Sequence, residues 1–343
     1  MISSQLTLII TTSPTPSAPF TELLSSVIAS FGVHCLDLLT CPVVVVLDTY
    51  ERIASTDRLK KGQVSAETAE NFERYRSNVK QLVLKTWQCE DCVFTNCKGW
   101  AEFGSPGCAD NSVPFTISQT EDKQVTFIEP LRRLGFGLAV RSALRSVSTP
   151  YVWVHQHDWT LLADIPLASI LDVMGGSDDV VPIKYICFPS IRMLSYAEQT
   201  SVRKFPALKS LTDSLTRKIA PASPPKTGVP LTPLFFWHDK PHIASTSHYL
   251  ARIFPSRLAI QRGDFIEDSI GQRARMQMKD GRWHRWACWL YYPEEGTRLC
   301  LKHLDGRVWR GVEGEQKQKL MWIATKGKIN PSVRSNADTP REG

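Results

Sequence analysis

Residues 151–159 read Tyr151-Val152-Trp153-Val154-His155-Gln156-His157-Asp158-Trp159. The first four are predicted to form an apolar strand, and polar groups follow where the strand ends and a loop begins. In open α/β sheets, ligands bind beyond the carboxyl ends of the strands. Two imidazoles, an amide and a carboxylate at this position favour a site for a divalent cation or a diphosphate.

The length and composition of the chain indicate a globular protein. Its 343 residues, 42% of them hydrophobic, suffice for one large core or two small ones. The longest purely aliphatic stretch, residues 43–47, is far shorter than the ~20 residues that cross a bilayer. No basic region precedes the apolar residues 6–10, so we expect no signal peptide, no transmembrane segment and a cytoplasmic location.

Charge and cysteine content refine this expectation. The net charge of +7 is concentrated late in the chain, where basic residues alternate with Trp283, Trp286, Trp289 and Trp309. Such a pattern suits a phosphate-bearing partner, whether a nucleotide sugar or a nucleic acid, although a solvated helix face explains any single basic residue equally well. Nine scattered cysteines favour a reducing compartment over a disulfide framework.

Strands and helices alternate along the first half of the chain. Residues 5–11, 43–47, 125–128 and 151–154 are predicted strands, and apolar residues at helical spacing predict helices near 20–31 and 136–147. This order predicts an α/β fold with a mostly parallel, doubly wound sheet flanked by helices. In the second half, the prolines of residues 220–233 predict a loop or lid, and residues 263–272 open a basic helix.

The run from Gly135 to Asp158 resembles the middle of inverting, family 2 glycosyltransferases of the GT-A type. In that family a strand ends in an Asp-x-Asp motif, and Gln156-His157-Asp158 stands at the corresponding place. The resemblance extends in order of elements over residues 5–310, each motif being short and weak. It implies a GT-A-like domain over residues 1–310, with an insertion at about 86–120 and a polar, mobile tail at 311–343.

The resemblance also implies roles for individual residues. The metal that bridges the donor's two phosphates, Mn²⁺ or Mg²⁺, would be bound by Asp158, with His157 or His303 assisting. The nucleoside diphosphate sugar would further contact the residues at the first two strand ends, the motif and one late arginine: Thr11, Thr12, Asp48, Gln156, Asp158 and Arg273. The catalytic base would be Glu267 or Asp268, and His238 and Asp239 would line the acceptor side.

Some of these residues depart from the family pattern or have structural explanations. Gln156 replaces an acidic residue, and an amide is a poorer ligand than a carboxylate for a hard cation. Glu267 and Asp268 also suit the first turn of a helix, where the helix dipole favours acidic groups. The residues after Asp48 differ from the usual pattern and leave the nucleotide open.

Strand geometry predicts how the central motif is divided. Alternate residues of a strand face opposite sides, so Gln156 and Asp158 should face the ligand while His155 and His157 support them from behind. A zinc site using both imidazoles has no visible third ligand. His242 and His248 are predicted to be surface or capping residues.

The insertion carries four cysteines, Cys89, Cys92, Cys97 and Cys108. The first interval matches a zinc knuckle, but the later ones fit no common pattern. The two interpretations are a structural zinc site and an irregular loop with free thiols, of which the second is favoured.

Together these features predict an inverting glycosyltransferase that uses a nucleoside diphosphate sugar. The alternative is a catalytically silent protein of the same fold that binds a nucleotide sugar, nucleic acid or another polyanion. A nucleotidyltransferase would need a glycine-rich loop after the first strand, and residues 11–19 contain no glycine. The sugar, the nucleotide and the acceptor are left open, because fold alone does not select them.

Overall fold

The computed structural model describes residues 1–221 and 228–329. Its strands, in chain order, are β1 Leu6–Thr12, β2 Val43–Leu47, β3 Arg52–Ile53, β4 Gln63–Val64, β5 Phe94–Glu102, β6 Ser112–Thr120, β7 Val125–Pro130, β8 Tyr151–Gln156, β9 Trp159–Leu161, β10 Tyr185–Cys187, β11 Arg217–Ile219, β12 Val229–Pro233, β13 His242–Ser245, β14 Cys288–Tyr291 and β15 Leu301–His303.

Helices cover and flank these strands. They are α1 Glu22–His34, α2 Ala66–Thr86, α3 Phe136–Leu144, α4 Leu167–Gly175, α5 Thr200–Arg203, α6 Pro206–Leu215, α7 Thr246–His248, α8 Gln272–Lys279 and α9 Val312–Ile329. Two π-helical segments, Tyr249–Ile253 and Glu267–Gly271, continue α7 and precede α8.

One sheet of 11 strands runs through the described part of the chain, in the order β11-β12-β14-β10-β13-β8-β1-β2-β7-β6-β5. The neighbours β8, β1, β2 and β7 are parallel and form its centre. Antiparallel partners extend the sheet on both sides, so β6, β13 and β12 run against the others. The predicted α/β class, a large and mostly parallel sheet flanked by helices, is confirmed.

The central strands are buried because their sequences are apolar on both faces. Every residue of β2 is buried, and so is every residue of β1. Helix α1 packs a stripe of Leu24, Val27, Ile28 and Phe31 against the core. Strands with two buried faces are typical of parallel sheets, in which helices cover both sides.

Residues 94–120 correct one sequence expectation. The predicted irregular insertion contains the hairpin of β5 and β6. Strand β6 pairs with β7, and β5 forms one edge of the sheet. Most of β5 is exposed, so its sequence lacks the apolar alternation by which a strand is recognised.

The proline-rich stretch is a second correction. Strand β12 lies within residues 220–233 and pairs with both β11 and β14. Residues 222–227 of this predicted lid lie outside the described residues.

The C-terminal stretch, predicted as a polar and mobile tail, contains a helix. Helix α9 spans most of it, Leu320 is 66% exposed, and residues 330–343 lie outside the described residues. The mobility of residues 311–343 and the end of the domain at residue 310 stay predictions. In the described residues, no helix is both long and apolar enough to cross a membrane.

Candidate active site

The strand ends of the parallel centre form the floor of the candidate site. Thr12 ends β1, Asp48 follows β2 and Gln156 ends β8. Parallel pairing puts these ends at one edge of the sheet, and Thr11 lies opposite Gln156 in register. The central motif therefore lies where the sequence placed it, at the carboxyl end of β8.

The motif itself does not alternate as predicted. Strand β8 ends at Gln156, so the two-residue period stops there, and His157 and Asp158 both turn toward Gly306. A Cβ atom on Gly306 would lie 3.1 Å from both His157 Nε2 and Asp158 Oδ2. The expectation that His157 and Asp158 lie on opposite faces is wrong, because alternation holds only within a strand.

Asp158 is a buried carboxylate with one bonded oxygen. Its Oδ2 accepts hydrogen bonds from Gly306 N at 3.2 Å and from His303 Nε2 at 3.1 Å. Burial acts to raise its pKa, but the His303 bond and the neighbouring imidazoles outweigh this, so the pKa of Asp158 lies below its ordinary value. Its Oδ1 is buried and has no partner in the described residues.

The antiparallel pair of β9 and β15 brings His303 to Asp158. His303 lies opposite Trp159 in register, and the two rings pack with centroids 4.6 Å apart. On its other side, His303 Nδ1 lies 2.7 Å from Asp305 Oδ1. The hydrogen bond to Asp158 raises the pKa of His303. Sequence spacing alone could not join residues 158 and 303.

His157 is held by the end of β1. Ser13 N donates to His157 Nδ1 at 3.3 Å, so this nitrogen is an acceptor and the neutral ring carries its proton on Nε2. The Thr12 hydroxyl donates to the same nitrogen at 2.6 Å, and the Tyr75 hydroxyl donates to Thr12 at 2.7 Å. Burial lowers the pKa of His157. This bonding makes it a support for the loop, and its predicted part in metal binding stays a prediction.

Asp48 fixes the turn that leads into α3. Its carboxylate accepts from Leu134 N at 2.7 Å and from Gly135 N at 2.9 Å. Burial raises the pKa of Asp48 to about 6. Its predicted contact with the nucleotide base stays a prediction, as does that of Thr11, which is buried in the sheet.

A second acidic group lies where the loop after β12 meets the turn before α8. Glu267 N donates to Asp239 Oδ2, and Asp239 N donates to Glu267 Oε2, both at 3.3 Å. His238 Nδ1 lies 3.6 Å from Glu267 Oε2 and lowers the pKa of Glu267. Asp268 is exposed on the next position of the turn. Sequence reasoning missed the tie between Asp239 and Glu267, which no spacing along the chain reveals.

Two contacts connect the acidic pair with Asp158. Gln156 Nε2 donates to the Asp239 carbonyl at 2.8 Å. Arg307, which follows Gly306, lies over the Phe265 ring at 5.4 Å. The segments that carry Asp158 and Glu267 are therefore in contact near the carboxyl end of β8.

Arg307 also lines a neighbouring cavity of about 290 Å³. The other lining residues come from the loop after β1, the segment after β3 and the start of α2: Pro16, Asp57, Arg58, Leu59, Lys60 and Thr68. Three basic side chains against one carboxylate make this cavity suited to an anion.

Other residues singled out from the sequence have surroundings of a different kind. Arg273 lies over the Trp286 ring at 6.0 Å on α8, and its contact with the diphosphate stays a prediction. His242 is fully buried in β13, which corrects the predicted surface position. Trp283, Trp286 and Trp289 are buried, so these three rings cannot stack on nucleic acid bases.

The structure does not bring the insertion cysteines together as a zinc site. Cys89 is buried whereas Cys97 and Cys108 are exposed. Across residues 1–221 and 228–329, no three His, Cys, Asp or Glu side chains form a group that could hold a metal by themselves.

No protein-family model matches the chain, and no curated protein matches it in sequence. Among solved structures, it is similar to TarS of S. aureus, with a TM-score of 0.39 and 10% identity over 96% of this chain and 40% of that one. It is also similar to the mannosyltransferase PcManGT of Pyrobaculum calidifontis in complex with GDP-Man and Mn²⁺, with a TM-score of 0.36 and 12% identity over 85% of this chain and 58% of that one.

A third similar structure is glucosyl-3-phosphoglycerate synthase of Mycobacterium tuberculosis with Mn²⁺, UDP and glucosyl-3-phosphoglycerate. Its TM-score is 0.35, with 9% identity over 95% of this chain and 80% of that one. The chain thus spans 40% of the length of TarS and 58% of that of PcManGT. The TM-scores are low, and the activity of this chain has to be argued from its own site.

Proposed function

We propose that this protein is a glycosyltransferase that moves a sugar from a nucleoside diphosphate sugar to an acceptor hydroxyl with inversion. The observation that carries the proposal is the arrangement of acidic groups near the end of β8. It combines the buried, ionised Asp158, one oxygen of which has no partner in the described residues, with the acidic pair at Glu267. Scattered cysteines favour the cytoplasm as its location.

The donor's diphosphate is proposed to lie between Asp158 and the basic cavity. Glycosyl transfer leaves negative charge on the departing diphosphate, and positive side chains stabilise that charge. Arg58, Lys60 and Arg307 line the cavity, and Arg307 belongs to the segment that donates a backbone bond to Asp158.

The residues around Asp158 fit a divalent ion that is shared with the diphosphate. Asp158 Oδ1 is free to ligate, and His303 would ligate through Nε2 after releasing the proton that this nitrogen donates to Asp158, while its Nδ1 stays on the Asp305 carboxylate. Since Mg²⁺ is often bound by one or two side chains together with substrate phosphates, two protein ligands suffice. When bound there, Mn²⁺ or Mg²⁺ supplies positive charge to the leaving group.

Glu267 is proposed as the catalytic base. Its Oε2 is fixed by Asp239 N and lies beside the His238 ring, while its Oε1 accepts no hydrogen bond from the described residues. A fixed carboxylate with one open oxygen can take the proton of an acceptor hydroxyl. The hydroxyl oxygen then forms its bond to the sugar carbon as the bond to the diphosphate breaks on the opposite side.

A thermal-shift experiment tests donor binding. The protein is screened against UDP, GDP, CDP and TDP sugars, each with and without Mn²⁺. We expect one nucleotide family to stabilise it, more strongly with the metal, and this metal effect to vanish in Asp158→Ala but not in Asp164→Ala, an exposed carboxylate elsewhere. Absence of any shift would favour the silent, polyanion-binding alternative.

Donor hydrolysis tests the base. Glu267→Gln should lower the rate about 100-fold or more, because it removes the proton acceptor without changing the size of the side chain. Asp268→Asn, at the neighbouring exposed position, should lower it much less. The reverse order of the two variants would assign the base to Asp268.

A further inference from the structure

Gln156 occupies the position at which the Asp-x-Asp motif has its first acid, and its side chain has a specific partner. It ends β8, is half-buried, and its Nε2 donates to the Asp239 carbonyl oxygen at 2.8 Å. An amide NH₂ is a donor, whereas a carboxylate is only an acceptor. An acid at position 156 would therefore bring two acceptors face to face.

Asp239 in turn is hydrogen-bonded to Glu267. The backbone N–H of each residue donates to the side-chain carboxyl of the other. Asp239 is 3% exposed, so solvent cannot replace bonds that are lost there. The position of the Asp239 backbone thus determines where the Glu267 carboxylate lies.

We propose that Gln156 is a positioning residue for the catalytic base: its amide holds the Asp239 carbonyl, and Asp239 in turn holds Glu267. The glutamine is accordingly a functional member of the site and not a lost metal ligand. This inference rests on the proposed function, in which Glu267 is the base.

The proposed role of Gln156 affects turnover and not donor binding. Donor binding is proposed for Asp158, His303 and the basic cavity, and the amide of Gln156 is bonded to the Asp239 carbonyl instead of the predicted donor, so donor affinity should not depend on this amide. A carboxylate displaced by a fraction of an ångström from the acceptor hydroxyl loses rate, because proton transfer requires hydrogen-bond geometry.

The test compares Gln156→Glu and Gln156→Asp with Gln119→Glu, which removes the amide donor of a half-buried glutamine from a contact with Thr126 far along the sheet. Donor affinity is measured by calorimetry with Mn²⁺, and turnover by donor hydrolysis. We expect both Gln156 variants to keep the affinity within about threefold and to lose at least about tenfold in rate, while Gln119→Glu loses neither.

Amide hydrogen exchange gives a readout that does not require turnover. The amides of Asp239 and Glu267 should exchange faster in Gln156→Glu than in the wild type, and those of the Gly306 segment at the same rate. Unchanged exchange at Asp239 and Glu267 would overturn the inference.

A second outcome would also overturn it. If Gln156→Asp tightened Mn²⁺ binding and raised the hydrolysis rate, position 156 would be a weakened metal ligand. Failure of the wild type to bind any nucleotide sugar would instead contradict the proposed function.

Discussion

At the scale of single residues, burial determines which polar groups of the motif act as supports. His155 is fully buried, accepts from Trp153 Nε1 at 3.0 Å and donates through Nε2 to the Trp159 carbonyl at 2.7 Å. Both nitrogens are thus used within the fold, in a neutral ring. Asp158, three residues on, keeps one buried oxygen without a partner in the described residues, and this oxygen is available to a ligand.

The neutrality of His155 predicts a pH dependence of stability. Burial lowers its pKa from 6.5 to about 4. The unfolded chain therefore binds a proton below its ordinary pKa that the folded chain does not, and stability falls as the pH decreases between these two values. The slope is about 1 kcal/mol per pH unit for this group. His155→Gln should remove that part of the slope in urea unfolding between about pH 6 and 4.5.

His284 provides the control for this measurement, since its imidazole is exposed. His284→Gln should leave the wild-type slope unchanged. Equal slopes in the two variants would show that His155 is protonated in the folded protein.

At the scale of elements, the turn before α3 joins the floor of the site to the segment that carries Glu267. Asp48 holds this turn from one side, and Gly263 N donates to the Leu134 carbonyl at 2.7 Å from the other. Gly135 has a φ of 80°, and a Cβ there would lie 2.5 Å from Gly263 Cα. Only glycine satisfies both the backbone angle and the close approach.

Replacing Gly135 should therefore lower the free energy of unfolding by more than the strain of its backbone angle alone. Gly281, with a φ of 78° and no atom within 4 Å of an added Cβ, is the matched control. Gly281→Ala should lower the free energy of unfolding by about 1–2 kcal/mol, the cost of a left-handed conformation. Gly135→Ala should lower it by about 2 kcal/mol more, because backbone has to move. Chemical denaturation measures both, and equal losses would contradict the close approach.

At the scale of the whole molecule, the segment after β14 reaches the candidate site. His303, Gly306 and Arg307 reach Asp158 and the basic cavity because β15 pairs with β9. At the start of α9, Val312 N donates a hydrogen bond to Glu22 Oε2 of α1 at 2.9 Å. Residues 303–307 thus contact Asp158 or line the basic cavity.

Truncation separates these two parts. A chain that ends at Arg310 should keep the donor affinity of the full protein and a melting temperature within a few degrees of it, because the Val312–Glu22 and Arg310–Glu315 hydrogen bonds are exposed. A chain that ends at Cys300 should lose metal-dependent donor binding. Thermal shift with the donor measures both, and loss of binding in the chain that ends at Arg310 would place α9 within the site.

The sequence by itself determined the α/β class, the central strands and the position of the motif. These follow from local patterns: apolar runs such as β2 and helical stripes such as α1 are visible in a short window. The motif's position followed because the strand end and its polar residues adjoin in sequence. The exposed strand β5 was missed because its packing imposes no such pattern.

Only the tertiary structure decided which of the candidate residues form a site together. Asp158 and His303 are 145 residues apart, and Gln156 and Asp239 are 83 apart. Pairing of β9 with β15 and of β13 with β8 brings these segments side by side. The roles of Gln156 and His157 likewise depend on partners from β1 and from the loop after β12. Hydrogen bonds between distant segments depend on the three-dimensional path of the chain, which a local sequence pattern does not specify.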